Sequence, residues 1–193
     1  MTKQYNNEGD KFEKITIRQL GLKAFGSGRR SNKYLPDATY DEHFFEIKSC
    51  NLSIGKVSTG RDITHKKIND WRKVHWIFSG REGSKLIKHI LVTKDKMEVI
   101  YKDFEDRINN PNSKKYAGMN KIKIIEESMR SFGQSEEEIQ KACNTYRRGT
   151  GLNDPRISWR KIEDIGVIVG SLEDIRRVLE NEQGATEAIK KEE

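Results

Sequence analysis

The segment Tyr40-Asp41-Glu42-His43-Phe44-Phe45-Glu46-Ile47-Lys48 constrains this chain more than any other stretch of it. Asp41-Glu42 marks a turn. His43, Phe45 and Ile47 then alternate with Phe44, Glu46 and Lys48, the period of two that belongs to a β-strand. In a strand this spacing puts Glu46 and Lys48 on one face, one pleat apart, while the opposite face supplies apolar side chains for a core. A carboxylate and an amine held side by side on a rigid strand are the beginnings of a compact polar centre.

Around this strand the pattern predicts a small mixed sheet flanked by helices. Residues 11–25 predict an early helix with Phe12, Ile15, Gln19 and Leu22 on one side, widened by Ile17, Leu20 and Ala24, and ending at Gly26-Ser27-Gly28. Residues 51–62 read as a connection, 63–74 as a helix, and 75–80 and 87–93 as strands. Residues 97–110 fit a short apolar strand or a helix equally well. The run NNPNSKKYAGM marks the clearest boundary. Beyond it, helices are expected over 122–132 and 135–148, a basic turn over 147–156, a strand within 159–170, and an acidic helix capped by Ser171 with Asp174 three residues on. The expected fold is therefore α/β: a mixed sheet core flanked by helices, with a C-terminal helical and strand elaboration.

At 193 residues with 34% hydrophobic content, the chain is expected to form one domain. Within 1–193, residues 10–110 would be the core and 111–193 the elaboration. No apolar run approaches the length of a membrane span and the start lacks a secretory pattern, so a soluble cytoplasmic protein is expected. Two cysteines, Cys50 and Cys143, make neither a disulfide framework nor a cysteine-rich zinc site. The formal charge is +7, and its distribution is more telling than its size. Residues 48–89 hold ten Lys or Arg against three Asp or Glu, whereas 161–193 hold five against nine. Basic character therefore follows directly after the Glu46–Lys48 strand, where a polyphosphate such as nucleic acid would be drawn.

Cleaving a phosphodiester requires an activated water, stabilisation of charge on phosphorus, and help for the departing oxygen. Asp37 and Glu46, brought together by the intervening turn, can offer two carboxylates to one Mg²⁺, with the main-chain carbonyl of Ile47 as a further hard oxygen ligand. Lys48 can orient the attacking water or stabilise phosphate charge. Asp41 competes with Asp37 but more naturally occupies the turn. Glu13 on the early helix can approach the centre, although solvated helix surface is its simpler role. The alternative throughout is an ordinary turn aspartate and an exposed strand ion pair.

The Pro36-Asp37 pair followed by Glu46-Ile47-Lys48 in FFEIKS resembles the PD-(D/E)xK nucleases, particularly type II restriction endonucleases. The resemblance covers roughly residues 10–110. It implies Mg²⁺ held by Asp37 and Glu46, a water nucleophile supported by Lys48, and hydrolysis leaving 5′-phosphate ends.

Arg61, His65, Lys66, Lys67, Arg72 and Lys73 are candidates for phosphate contacts, because residues three or four apart share a helical face. Arg147, Arg148, Arg156 and Arg160 form a second DNA-contacting set. For both, the alternative is a plain basic surface. Trp71 and Trp76 are core candidates, and the RRGTG run lacks the spacing of a phosphate loop. The function expected is sequence-specific cleavage of double-stranded DNA by a homodimer, since two related centres suit two strands. A structure-selective nuclease and a non-catalytic DNA-binding protein are the alternatives.

Overall fold

In the computed structural model, residues 6–25, 35–59, 63–109, 114–150 and 155–190 are described. The first helix, α1 (Asn6–Gln19), stops well before Gly26-Ser27-Gly28, which lies outside the described residues. Gly21 sets this end. With φ at +69° it adopts the left-handed conformation, and Leu22 N–H bonds Ile17 O at 3.0 Å while Gly21 N–H bonds Arg18 O at 3.3 Å. That is the paired closure in which a glycine ends a helix and the following apolar side chain packs back on it. Leu22 and Ile17 do meet in the same apolar cluster.

The buried stripe of α1 is also rotated from the expected one. Phe12, Thr16 and Leu20 are buried, whereas Ile15 is only half-buried and Gln19 exposed. Thr16, a polar residue, sits at the centre of the contact because a hydroxyl on the sheet meets it: its Oγ1 lies 2.8 Å from Ser79 Oγ.

Short strands β1 (Lys23–Ala24) and β2 (Ala38–Tyr40) lead to β3 (His43–Asn51), and the turn falls at Asp41-Glu42 as expected, with Asp41 at φ +50°. The connection after β3 contains a strand, β4 (Lys56–Ser58), before α2 (His65–Trp71). Next come β5 (His75–Glu82), β6 (Lys85–Val92) and α3 (Lys94–Asn109), which settles the ambiguous apolar run as helix. Then follow α4 (Lys114–Ser131), α5 (Glu136–Thr150), β7 (Arg156–Ser158), α6 (Trp159–Ile165), β8 (Val167–Val169) and α7 (Leu172–Lys190).

The strand expected within 159–170 is present as β8, but an unexpected helix, α6, occupies the first part of the segment. Ser158 caps a helix, its side chain accepting from Lys161 N–H, and the chain turns to strand only after Gly166. Gly166 is required by close approach: a Cβ there would lie 2.2 Å from Ile90 Cγ2 and 2.9 Å from Ile162 O. By contrast, the Ser171 cap of α7 is as expected, with Ser171 and Asp174 bonding each other's backbone N–H reciprocally.

Six strands form one sheet in the order β1-β2-β3-β5-β6-β8, in which only β3 and β5 run parallel. β4 and β7 make a separate antiparallel pair. One sheet face carries Phe45, Ile47, Ile77 and Leu91 into a core closed by Leu20 of α1 and Ile175 of α7. The opposite face presents Trp76 and Phe78, stacked on each other, with Trp71 of α2 edge-on to Trp76. The mixed sheet, flanking helices and C-terminal extension are the architecture the sequence predicted.

The chain divides into two compact units. One comprises residues 1–58, 66–98 and 156–193 and contains the six-stranded sheet; the other comprises 59–65 and 99–155. In the second unit α4 and α5 enclose Ile122, Ile139 and Cys143, with Ile125 and Met129 packed against them. Among the described residues no helix is long and apolar enough to cross a membrane.

Candidate active site

The centre forms where β2 leaves β3. Their ladder runs from Tyr40↔His43 to Ala38↔Phe45, and there Asp37 N–H also bonds Phe45 O, at 2.9 Å, so that two residues oppose one in a local bulge. One step further the side chain takes over from the backbone: Ile47 N–H donates to Asp37 Oδ2 at 2.7 Å. A carboxylate thereby satisfies a strand edge that would otherwise lack a partner, which fixes Asp37 beside Glu46 and Lys48.

Lys48 is the hub. Its Nζ lies 2.7 Å from Glu46 Oε1, 3.5 Å from Asp37 Oδ2 and 3.4 Å from Glu13 Oε1, and donates to Ile47 O at 2.8 Å. The four side chains keep between 10% and 25% of their area exposed, so the cluster is sheltered yet open to solvent on one side. Glu13 is the residue whose simpler reading fails. It is mostly covered and turned toward Lys48, because α1 is rotated by the Thr16–Ser79 contact and Glu13 lies three residues before Thr16 on the same side.

Three carboxylates face one ammonium, and the electrostatics follow. Burial pulls Lys48 down, but Glu46, Asp37 and Glu13 outweigh it and hold the amine above its ordinary range. Asp37 is pushed up to about 7 by burial, opposed by Lys48 and the Ile47 N–H and reinforced by Glu46 and Glu13. The cluster is therefore short of positive charge. Its donor set of carboxylate and carbonyl oxygens suits a hard divalent cation. Among the described residues, however, no group of three or more His, Cys, Asp or Glu side chains is arranged to hold a metal ion. The oxygens of Asp37, Glu46 and Ile47 all turn instead toward the Lys48 ammonium.

The other sequence candidates lie elsewhere. Arg61 is outside the described residues, as are the side chains of Arg147 and Arg148 on α5. Lys66 is exposed, Lys67 lies over the Trp71 ring at 5.0 Å, and Lys73 pairs with Asp70 at 3.4 Å. Arg72 is held by both oxygens of Glu98, at 2.7 and 3.0 Å. His65, in the second unit, is exposed and meets Asn109 Oδ1 at 3.1 Å. Arg156 and Arg160 are exposed on β7 and α6. Trp71 and Trp76 are fully buried core residues, so neither is available to stack on a base.

Two buried histidines were not assigned a role by the sequence. His75 accepts at Nδ1 from Lys94 N–H at 3.3 Å, which leaves Nε2–H facing His43 Nδ1 at 3.3 Å. Burial, with His43 and Lys94 adding, lowers its pKa to about 3. His89 lies between Ser79 Oγ at 2.8 Å and Gln19 Oε1 at 3.1 Å, and burial lowers its pKa as well.

A mixed sheet whose central strand carries Glu46 and Lys48, with Asp37 tied to its edge, is the arrangement of a PD-(D/E)xK nuclease. The family comparison agrees and is narrower: the model of the family described as Restriction endonuclease PvuII matches residues 5–135, from α1 through α4, and the chain belongs to that family. No curated protein matches the chain.

Proposed function

We propose that this protein is a type II site-specific endonuclease that uses Mg²⁺ to hydrolyse phosphodiester bonds in double-stranded DNA, leaving 5′-phosphate ends. The single observation that carries the reading is the convergence of Asp37, Glu46 and the Ile47 carbonyl on the Lys48 ammonium within 3.5 Å. Asp37, Glu46 and the Ile47 carbonyl would hold the Mg²⁺, which when bound supplies positive charge for the phosphate and acidifies water.

The chain's own groups then divide the work. Lys48 orients the attacking water and lends charge to the phosphate oxygens as they gain it. Glu46 keeps Lys48 in place through its 2.7 Å contact, and Asp37 is held rigid by the Ile47 N–H. In the reaction a water oxygen bonds to phosphorus, the bond from phosphorus to the 3′ oxygen breaks, the water's proton passes to solvent, and the 3′ oxygen is reprotonated. Lys66, Lys67, Arg72 and Lys73 on and after α2, with Arg61, His65, Arg147, Arg148, Arg156 and Arg160, are the proposed phosphate and base contacts. Residues 10–110 act as catalytic core and 111–193 as elaboration within one nuclease domain. A cytoplasmic homodimer would bring two centres to a duplex, in keeping with a restriction-modification role.

The test is mapped cleavage of a complex linear duplex mixture, in Mg²⁺ or EDTA, by the wild type, Asp37→Ala and Lys48→Ala. Discrete ends sharing one sequence, dependent on metal and lost in both folded variants, are the expected result. Cleavage confined to branched or mismatched DNA would mean a structure-selective nuclease instead. Metal-independent binding without cleavage would mean a DNA-binding protein, and unchanged cutting by both variants would remove the centre.

A further inference from the structure

The β1-β2-β3 ladders arrange one sheet face as a grid. Lys23, Thr39 and Phe44 are in register across the three strands. One pleat further, Phe25 N–H bonds Asp37 O at 3.0 Å, which continues the β1–β2 register to Phe25 opposite Asp37. Asp37 N–H, by contrast, bonds Phe45 O, so Asp37 and Ala38 both oppose Phe45 in a local bulge; Glu46, two residues after Phe44 on β3, returns to the face of Phe44. Directly paired residues share a face, and alternate residues along a strand return to it. Phe25 is therefore the neighbour of Asp37 across the ladder, and Phe44 is the neighbour of Glu46 along its strand.

The two phenylalanines meet diagonally over this grid, ring centroids 5.3 Å apart and planes at 82°. Edge-to-face packing of this kind fixes ring orientation. Yet Phe44 keeps 37% of its surface exposed, and Lys23 in its row is exposed too. On the other side of β3 the same face is closed, because Trp76, in register with Glu46, is fully buried against Trp71. Trp76 thus covers this face on the β5 side of Glu46, while Phe44 on β3 itself remains partly exposed.

We infer that Phe44, braced by Phe25, holds the nucleoside next to the scissile phosphate, and that Lys23 takes a neighbouring phosphate. The inference rests on the nuclease reading above. An exposed ring locked beside a phosphodiester-cleaving centre presents an apolar plane to whatever adjoins the phosphate, which is a deoxyribose and its base. Every base has a face that stacks on an aromatic ring, so the contact positions the strand without reading its sequence. An exposed amine one strand-spacing or two away, about 5–10 Å, suits the flanking anion rather than the reacting one.

The experiment uses duplex DNA bearing the mapped cleavage site, with 2-aminopurine placed in turn at each position flanking the scissile bond. Binding is followed on the full chain carrying Lys48→Ala, in Mg²⁺, and single-turnover cleavage on the otherwise wild-type chain. Fluorescence should be quenched at one flanking position. With Phe44→Leu, which retains an apolar side chain against Phe25, that quenching should be lost, affinity should fall on the order of tenfold, and cleavage should slow. Phe44→Tyr should restore all three. Lys23→Ala should make the log–log salt dependence of binding shallower by about 0.9. Phe44→Leu that quenches, binds and cuts like its parent overturns the inference for Phe44, and an unchanged salt slope overturns it for Lys23. Failure of the wild type to cleave any duplex is a different result, since it removes the nuclease reading itself.

Discussion

Replacing Ser79 with alanine tests how α1 is held against the sheet. Ser79 Oγ is fully buried between Thr16 Oγ1 and His89 Nδ1, each at 2.8 Å, and His89 Nε2 lies 3.1 Å from Gln19 Oε1. The proton order follows from the last acceptor. An amide oxygen only accepts, so His89 donates from Nε2, its Nδ1 accepts from Ser79, and Ser79 accepts from Thr16. Ser79→Ala takes away both a donor and an acceptor in the interior, leaving the Thr16 hydroxyl and His89 Nδ1 without that partner. Each stranded buried group costs about 1–3 kcal/mol. The two losses overlap, so the expected destabilisation is about 2–4 kcal/mol, equivalent to a fall of roughly 4–16 °C in Tm for a chain of this size. Urea melts at pH 7 of wild type, Ser79→Ala, Thr16→Val and the double variant would measure it, with a coupling of about 1 kcal/mol or more expected between the two sites. Because Glu13 rides on the same helix, cleavage by Ser79→Ala should also fall where the fold persists. A loss below about 0.5 kcal/mol, or strict additivity with Thr16→Val, would refute the relay.

Protonation offers an independent check. His75 is neutral in the fold, with its pKa lowered to about 3 by burial, while in the unfolded chain it titrates near 6.5. Its contribution is therefore complete above pH 6.5 and is lost as pH falls toward 3, amounting to about 2 kcal/mol less stability at pH 5 than at pH 7. Denaturation at both pH values should show a smaller difference in His75→Gln, and an identical difference would refute the assignment. Gly166→Ala forces a Cβ into Ile90 and should destabilise by about 1–3 kcal/mol or more by calorimetry, whereas Gly133→Ala, where no atom lies within 4 Å, carries only the strain of a positive φ. Lys48→Ala should retain the fold by circular dichroism and lose cleavage by a factor of about 10² or more; wild-type rates in that variant would refute its role.

Part of the fold and of the centre is legible in the order of residues alone. The alternation His43–Lys48 follows from the geometry of an extended chain, in which successive Cβ atoms point to opposite faces, so Glu46 and Lys48 must be neighbours once the segment is a strand. Pro36-Asp37 and the Asp41-Glu42 turn are similarly local, as is the Ser171–Asp174 cap. The early stop of α1 is in principle legible too, since Gly21 followed by Leu22 is a termination signal that the larger Gly-Ser-Gly run overshadows.

The rest depends on partners distant in the chain. Glu13 reaches Lys48 across 35 residues because Thr16 finds Ser79, 63 residues away, and a hydrogen-bonded hydroxyl outcompetes Ile15 for the buried stripe. Residues 159–165 have enough apolar side chains for a strand, yet Ser158 caps them as a helix that places Gly166 against Ile90, a contact no window of sequence contains. β4 and β7, about 100 residues apart, pair only because the intervening fold brings their edges together. Local periodicity is fixed by covalent geometry and is carried by the sequence itself; the rotation of a helix and the company of a buried charge are chosen by the polar groups it meets, and those exist only once the sheet is built.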